Sequence, residues 1–234
     1  EYPGYEFIGW AGDKTSSSKI ITVTKNDTVT AKFKKMCKLT LTTEGNGRLL
    51  LPSTATYYSV GSKVNLMLAL PTPNDISHYH FAGWRDNDNP SAPLLEPGLM
   101  VNITMTGNRS FAAVFKGNMY DFSVESDGNG TVDTSQNGKK EYGTTIDLNE
   151  LLGDPNPGYK FKEWQELTGQ PWDYKWKPTS SSIATIGVLN KYKAIFELEE
   201  YTVSYKADDA TGGTVPTDPN VYHYNDEVTV LSGE

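Results

Sequence analysis

Apolar and polar side chains alternate along much of the chain. Leu39-Thr40-Leu41-Thr42, Phe122-Ser123-Val124-Glu125 and Tyr201-Thr202-Val203-Ser204-Tyr205 each put every second, apolar residue on one side. A period of two is that of a strand with one face on a core and one in water; a helix would repeat near 3.6. Each run leads into a Gly-centred turn: Glu44-Gly45-Asn46-Gly47, Asp127-Gly128-Asn129-Gly130 and Thr211-Gly212-Gly213. Second strands are expected at residues 48–51 and 131–133, and third strands from Val64 and Ile146. The third strands should stop at Pro71 and Pro73, and at Pro155 and Pro157, since proline suits neither a central strand nor a helix interior.

Closing hairpins are expected next, with apolar residues on one face. Ile21, Val23, Val29, Ala31 and Phe33 flank Lys25-Asn26-Asp27, and Ile103, Met105, Phe111, Ala113 and Phe115 flank Gly107-Asn108-Arg109. Ile186, Tyr192, Ala194 and Phe196 do the same around Leu189-Asn190. Helical signal is confined to residues 147–153, enough for a turn or two.

Between third strand and hairpin stands an aromatic segment written three times. Gly4-Tyr5-Glu6-Phe7-Ile8-Gly9-Trp10, His78-Tyr79-His80-Phe81-Ala82-Gly83-Trp84 and Gly158-Tyr159-Lys160-Phe161-Lys162-Glu163-Trp164 carry Tyr, Phe and Trp at i, i+2 and i+5. On a strand the Tyr and Phe share a face, so the Trp rejoins them only through a bulge. The other landmarks recur at one spacing. Gly47, Gly130 and Gly213 are 83 apart, while Phe33, Phe115 and Phe196 are 82 and 81 apart. A small polar turn at residues 61–64, 143–146 and 225–228 recurs every 82. The chain is therefore a tandem array: residues 1–35 are the closing half of a repeat, 36–117 and 118–200 are complete repeats, and 201–234 are an opening half. The expected fold is mainly β, in small tandem modules with little helix.

The order of strand, Gly-Asn-Gly turn, two strands, Pro-x-x-Gly-Tyr-x-Phe-x-x-Trp and a hairpin ending Ala-x-Phe resembles the divergent internalin-B-type B-repeat, whose relatives are known as Listeria–Bacteroides repeats. Gly128, Gly130, Tyr142-Gly143, Pro157-Gly158-Tyr159-Lys160-Phe161, Trp164 and Ala194-Ile195-Phe196 carry it, with Phe81-Ala82-Gly83-Trp84 in the preceding copy. The resemblance implies a compact β-grasp-like fold. It also implies stalk, spacer or adhesive modules of large secreted or surface-anchored bacterial proteins, without catalytic residues. The chain departs from the pattern at Glu163, which replaces the Gly before Trp, and in long inserts after Trp84 and Trp164.

Charge narrows the partners. With 21 Lys+Arg against 29 Asp+Glu the net charge is −8, and neither a basic stripe nor a polybasic run is present. That opposes nucleic acid and anionic membranes, and no apolar run reaches the length needed to span a bilayer. Expected partners are neighbouring repeats of the same chain and a host or cell-surface protein or glycan. Chain position 1 falls inside a repeat, so the segment reads as a piece of a longer array; head-to-tail completion of one half repeat by the other is the alternative.

Candidate chemistry is sparse. His78 and His80 point one way on a strand, as metal ligands would, but His80 replaces Glu6 and Lys160 at a solvent position, and no first shell completes them. Asp86-Asn87-Asp88-Asn89 has calcium-loop composition without its spacing, and reads as an Asx turn before Pro90. The single cysteine, Cys37, reads as a buried strand residue, and no triad, metal site or cofactor is expected. Trp172, Tyr174 and Trp176 alternate in the insert between Pro171 and Pro178. On a strand they would form a flat row suited to stacking sugar rings; otherwise they cap an undersized core.

Overall fold

The computed structural model describes residues 4–12, 20, 22, 24–26, 28–50, 56–98, 100–209 and 212–232, and the chain divides into two compact units, Glu1–Asn118 and Met119–Glu234. Ile21, Val23, Asp27 and Thr211, used above as landmarks, lie outside the described residues.

In the first unit β1 (Tyr5–Gly12) pairs antiparallel with the leading part of β2 (Val29–Glu44). The 16-residue β2 runs without interruption from the closing half repeat into the next repeat. Its trailing part pairs antiparallel with β4 (Thr56–Ser59), which follows the short β3 (Gly47–Leu49). Next come β5 (Lys63–Asn65), a 3₁₀ turn (Leu66–Ala69), β6 (Pro71–Pro73), β7 (Tyr79–Asp86), β8 (Asn102–Thr104) and β9 (Arg109–Gly117). The main sheet has the order β1-β2-β9-β7, with β4 on the free edge of β2. β2 and β9 run parallel, the one parallel pair in that sheet.

The second unit repeats the plan. β10 (Met119–Ser126), β11 (Gly130–Val132), β12 (Gly138–Glu141), β13 (Thr145–Asp147), a 3₁₀ turn (Leu148–Leu151) and β14 (Leu152–Pro155) lead to β15 (Tyr159–Thr168). Then follow β16 (Lys175–Pro178), β17 (Ile183–Thr185) and β18 (Asn190–Leu198), giving the sheet β12-β10-β18-β15-β16. Within a complete repeat the first strand thus lies beside the last and parallel to it, which is the β-grasp-like arrangement the resemblance implies. Among the described residues 201–232 there are two bridges, Tyr201 with Tyr222 and Ser204 with Thr217, and no strand.

The aromatic segments carry the expected bulge. Register slips between Phe7 and Gly9, Phe81 and Gly83, and Phe161 and Glu163, bringing Trp10, Trp84 and Trp164 opposite Ala31, Ala113 and Ala194. Each Phe then meets its Trp, with ring centroids 5.3, 5.7 and 5.9 Å apart. Trp84 packs with Leu39, Leu66, Met105, Phe111 and Phe115; Trp164 packs with Phe122, Leu148, Ile186, Tyr192 and Phe196. The departure at Glu163 has a local cause. Gly83 lies at φ +135, and a Cβ there would run into the carbonyl of Leu95, where the insert returns to pair with Trp84. In the next copy the insert again donates to the tryptophan carbonyl, Thr179 N–H to Trp164 at 2.9 Å as Leu95 N–H does to Trp84 at 2.8 Å. Among the described residues no two-way bridge like that of Leu95 with Trp84 forms there, and Glu163 keeps ordinary backbone geometry.

Two expectations of pairing are corrected. Ile103 and Met105 share a core with Phe111 and Phe115, but β8 pairs with β5, and β17 with β13, not with the strands that follow them. β7 and β2 already occupy both edges of β9, so the segment before it turns a corner instead of closing a hairpin. The third strands are also shorter than their apolar runs. Asn65 and Asp147 accept the N–H groups of Met67 and Asn149, both at 3.0 Å, and cap 3₁₀ turns that bury Leu66 and Leu148. The prolines do not merely stop strands: Pro71–Pro73 pairs with β3 and Pro155 with Gly130, in two-stranded ladders whose edges tolerate a missing N–H.

Candidate functional site

Among the described residues, the insert after Trp164 builds a hairpin of β15 and β16. β15 runs past Trp164 to Thr168, and Gln165, Glu166, Leu167 and Thr168 pair with Pro178, Lys177, Trp176 and Lys175. Its turn is drawn tight by Gly169 at φ +106 and by the Asp173 N–H donating to the Gln170 carbonyl at 2.8 Å. Thr168 Oγ1 donates to the Lys175 carbonyl at 3.2 Å, and Lys175 Nζ lies 3.1 Å from Asp173.

The three aromatics do not form one strand row. Trp176 lies on β16, half-buried, with the Lys193 ammonium 4.4 Å above its ring and that ammonium 2.8 Å from Glu125. A ring face already holding a cation is not open for stacking. Trp172 sits in the turn with 83% of its surface exposed, and Tyr174, just before β16, with 46%. Neither caps the core, so the tip offers an indole and a phenol to solvent beside a Lys–Asp pair.

The remaining candidates are used internally. Arg109 spans the acidic run after β7: its Nη2 lies 2.6 Å from Asp86 and its Nε 3.2 Å from Asp88, while the guanidinium stacks 4.9 Å above Phe111. Asp88 also accepts the Ser110 N–H, and the Asp88 N–H closes an Asx turn on Asp86 at 3.1 Å. Those carboxylates tie the insert to β9. His78 Nδ1 lies 2.7 Å from Asp75, holding that carboxyl below the usual range, and His80 Nδ1 lies 3.0 Å from Asn118 Oδ1. Among the described residues, no group of three His, Cys, Asp or Glu side chains could hold a metal ion. Cys37 is buried on β2 opposite Tyr58.

Sequence reasoning missed one recurring polar feature. At each repeat end the same backbone bond is made: Met36 N–H to the Gly4 carbonyl, Asn118 N–H to that of His78, and Glu199 N–H to that of Gly158, at 2.7–2.8 Å. Main-chain bonds leave no residue signature, though the repeat spacing could have located them.

The family model of the divergent InlB B-repeat domain matches residues 2–37, 37–119 and 120–195. The chain belongs to that family. No curated protein and no solved structure matches it. B-repeats are typical of bacterial surface proteins, and among the described residues no helix is long and apolar enough to cross a membrane.

Proposed function

We propose that this B-repeat segment is a non-catalytic, load-bearing spacer of a bacterial cell-surface or secreted protein, working outside the cell. The observation that supports it is the side-by-side, parallel placement of the first and last strands in each complete repeat, β2 with β9 and β10 with β18. Tension entering at the start of the first strand and leaving at the end of the last pulls the two past each other. Every bond of the ladder is then loaded at once instead of being unzipped singly. The 16-residue β2 transmits that load between successive repeats without a flexible joint.

Single-molecule stretching from the termini tests this. The complete repeats should open as discrete high-force events, each releasing about 280 Å of chain at about 3.5 Å per residue. Attaching one handle at Gly138, so that β12 peels from β10, should lower the force of that repeat severalfold. Equal forces in both geometries would sink the reading.

The exposed tip supports a second role on the same scaffold, adhesion to a glycan, because Trp172 and Tyr174 present an indole and a phenol to solvent within one turn, the ring types that stack on sugar. In this reading Trp172 and Tyr174 stack on sugar, and Trp176 braces the hairpin. Titrating an oligosaccharide panel against tryptophan fluorescence should yield a binder that Trp172→Ala weakens at least about tenfold, near 1.4 kcal/mol. No response across the panel leaves the spacer alone.

A further inference from the structure

We propose that Asn129 is a self-modification site: the Gly130 backbone nitrogen displaces its side-chain amide and leaves aspartate or isoaspartate in the turn. Asn-Gly pairs stand at residues 46–47, 129–130 and 137–138. In each, the glycine lets the following backbone nitrogen approach the side-chain carbonyl with no Cβ in the way. What separates the three is how each amide is held.

Asn137 is tied at both ends of its amide. Its Oδ1 accepts the Val124 N–H at 2.9 Å and its Nδ2 donates to the Val124 carbonyl at 3.2 Å, so the side chain pairs with β10 as a strand would. Asn46 Oδ1 accepts from Asn74 Nδ2 at 2.9 Å, and the Gly47 N–H, the would-be nucleophile, donates to the Gly45 carbonyl at 3.1 Å. The next repeat has exchanged this partner. Asn156, the counterpart of Asn74, sends its Nδ2 to the Gly128 carbonyl at 3.0 Å. Among the described residues the Asn129 side chain then has no hydrogen-bond partner. The Gly130 nitrogen is not claimed by the ladder either. Gly130 faces Pro155, which has no N–H to exchange, and the bond from the Asn156 N–H to the Asn129 carbonyl, 2.9 Å, marks a pair whose own amides do not bond each other.

The Gly130 nitrogen attacks Cγ of Asn129. The new N–Cγ bond closes an imide ring, and the side-chain nitrogen leaves as ammonia, carrying away the proton of the nitrogen that displaced it. Solvent water then opens the imide, giving aspartate by attack at Cγ and isoaspartate by attack at the main-chain carbonyl. Either product sets a second carboxylate near that of Asp127, which already accepts the N–H of residue 129 at 2.9 Å and that of Phe196 at 3.0 Å. Isoaspartate also lengthens the backbone just before Gly130, where a Cβ alone would strike the Phe196 ring. Conversion should therefore loosen β11 from its core and leave the repeat at residues 36–117 untouched.

The test is to age the whole chain in warm, mildly alkaline buffer and follow each Asn-Gly peptide by mass spectrometry, with fragmentation that tells isoaspartate from aspartate. In the folded chain residue 129 should convert at least about tenfold faster than residues 46 and 137, because each of those must first break two hydrogen bonds. In denaturant the three rates should converge. The isoaspartyl chain should lose amide-exchange protection over β11 and β14 and keep it over β3 and β6. A folded-state rate at residue 129 no higher than that at residue 137 overturns the proposal. So does a ratio of the two that denaturant leaves unchanged.

Discussion

Trp164→Ala is expected to unfold the repeat at residues 118–200 and leave the repeat at residues 36–117 folded. Trp164 is 5% exposed, faces the fully buried Ala194, and lies within the cluster of Phe122, Leu148, Ile186, Tyr192 and Phe196. Truncating a buried tryptophan costs about 3–5 kcal/mol. A module of this size holds on the order of 4–12 kcal/mol in total, at about 0.05–0.15 per residue, so the loss rivals the whole stability. Trp164→Phe separates packing from hydrogen bonding. The indole N–H of Trp164, like those of Trp10 and Trp84, is buried without a hydrogen-bond partner, so phenylalanine gives up volume but no bond. Its cost should be about 1–2 kcal/mol, within the large-to-small range for a partial truncation. Amide exchange read separately over β10–β18 and β2–β9 checks both. Protection in β10–β18 of the alanine variant within about tenfold of wild type, or 1.4 kcal/mol, would remove the aromatic segment from the centre of the fold.

What the sequence disclosed about this protein follows from what repetition can encode. The bulge before Trp was legible, because Tyr, Phe and Trp at i, i+2 and i+5 cannot share a strand face without one extra residue. The repeat order and the β class were legible for the same reason: apolar positions recur with the core. Pairing was not. Ile103 and Phe111 share a core in either topology, and which edge β8 joins depends on β2 and β7 having filled both sides of β9. β12, Gly-Lys-Lys-Glu, left no alternation to read, since it is an edge strand with no buried residue and forms to pair β10. At the candidate site, alternation of Trp172, Tyr174 and Trp176 suggested one row. The tight turn at Gly169 instead keeps the first two off the strand, and a lysine from β18, far along the chain, claims the third.

Gly130→Ala should destabilise its repeat by about 1–3 kcal/mol, the range for overpacking a filled core, although it adds a single methyl group. The two glycines of the Asp127-Gly128-Asn129-Gly130 turn answer different demands. Gly128 lies at φ +102 with open space around a Cβ, so its requirement is conformational. Gly130 has no such φ, but its Cβ would land in the ring of Phe196, and Gly47 meets Phe115 in the same way. Phe196 is 4% exposed and packs edge-on against Phe161, centroids 5.9 Å apart, so it has little room to swing away. The clash must therefore be absorbed by the β11–β14 ladder, where Gly130 pairs with Pro155. A smaller partner should relieve it. Phe196→Leu alone loses packing, but Gly130→Ala combined with Phe196→Leu should cost at least about 1 kcal/mol less than the two added, the non-additivity of residues in direct contact. Chemical denaturation of the four proteins closes the cycle. Additivity within about 0.3 kcal/mol, as for independent sites, would mean that the ring and the glycine do not meet. Asn in place of Gly128, a residue that enters the left-handed region, should be tolerated where Asn in place of Gly130 is not. Any side chain at residue 130 strikes the ring, whatever its backbone preference.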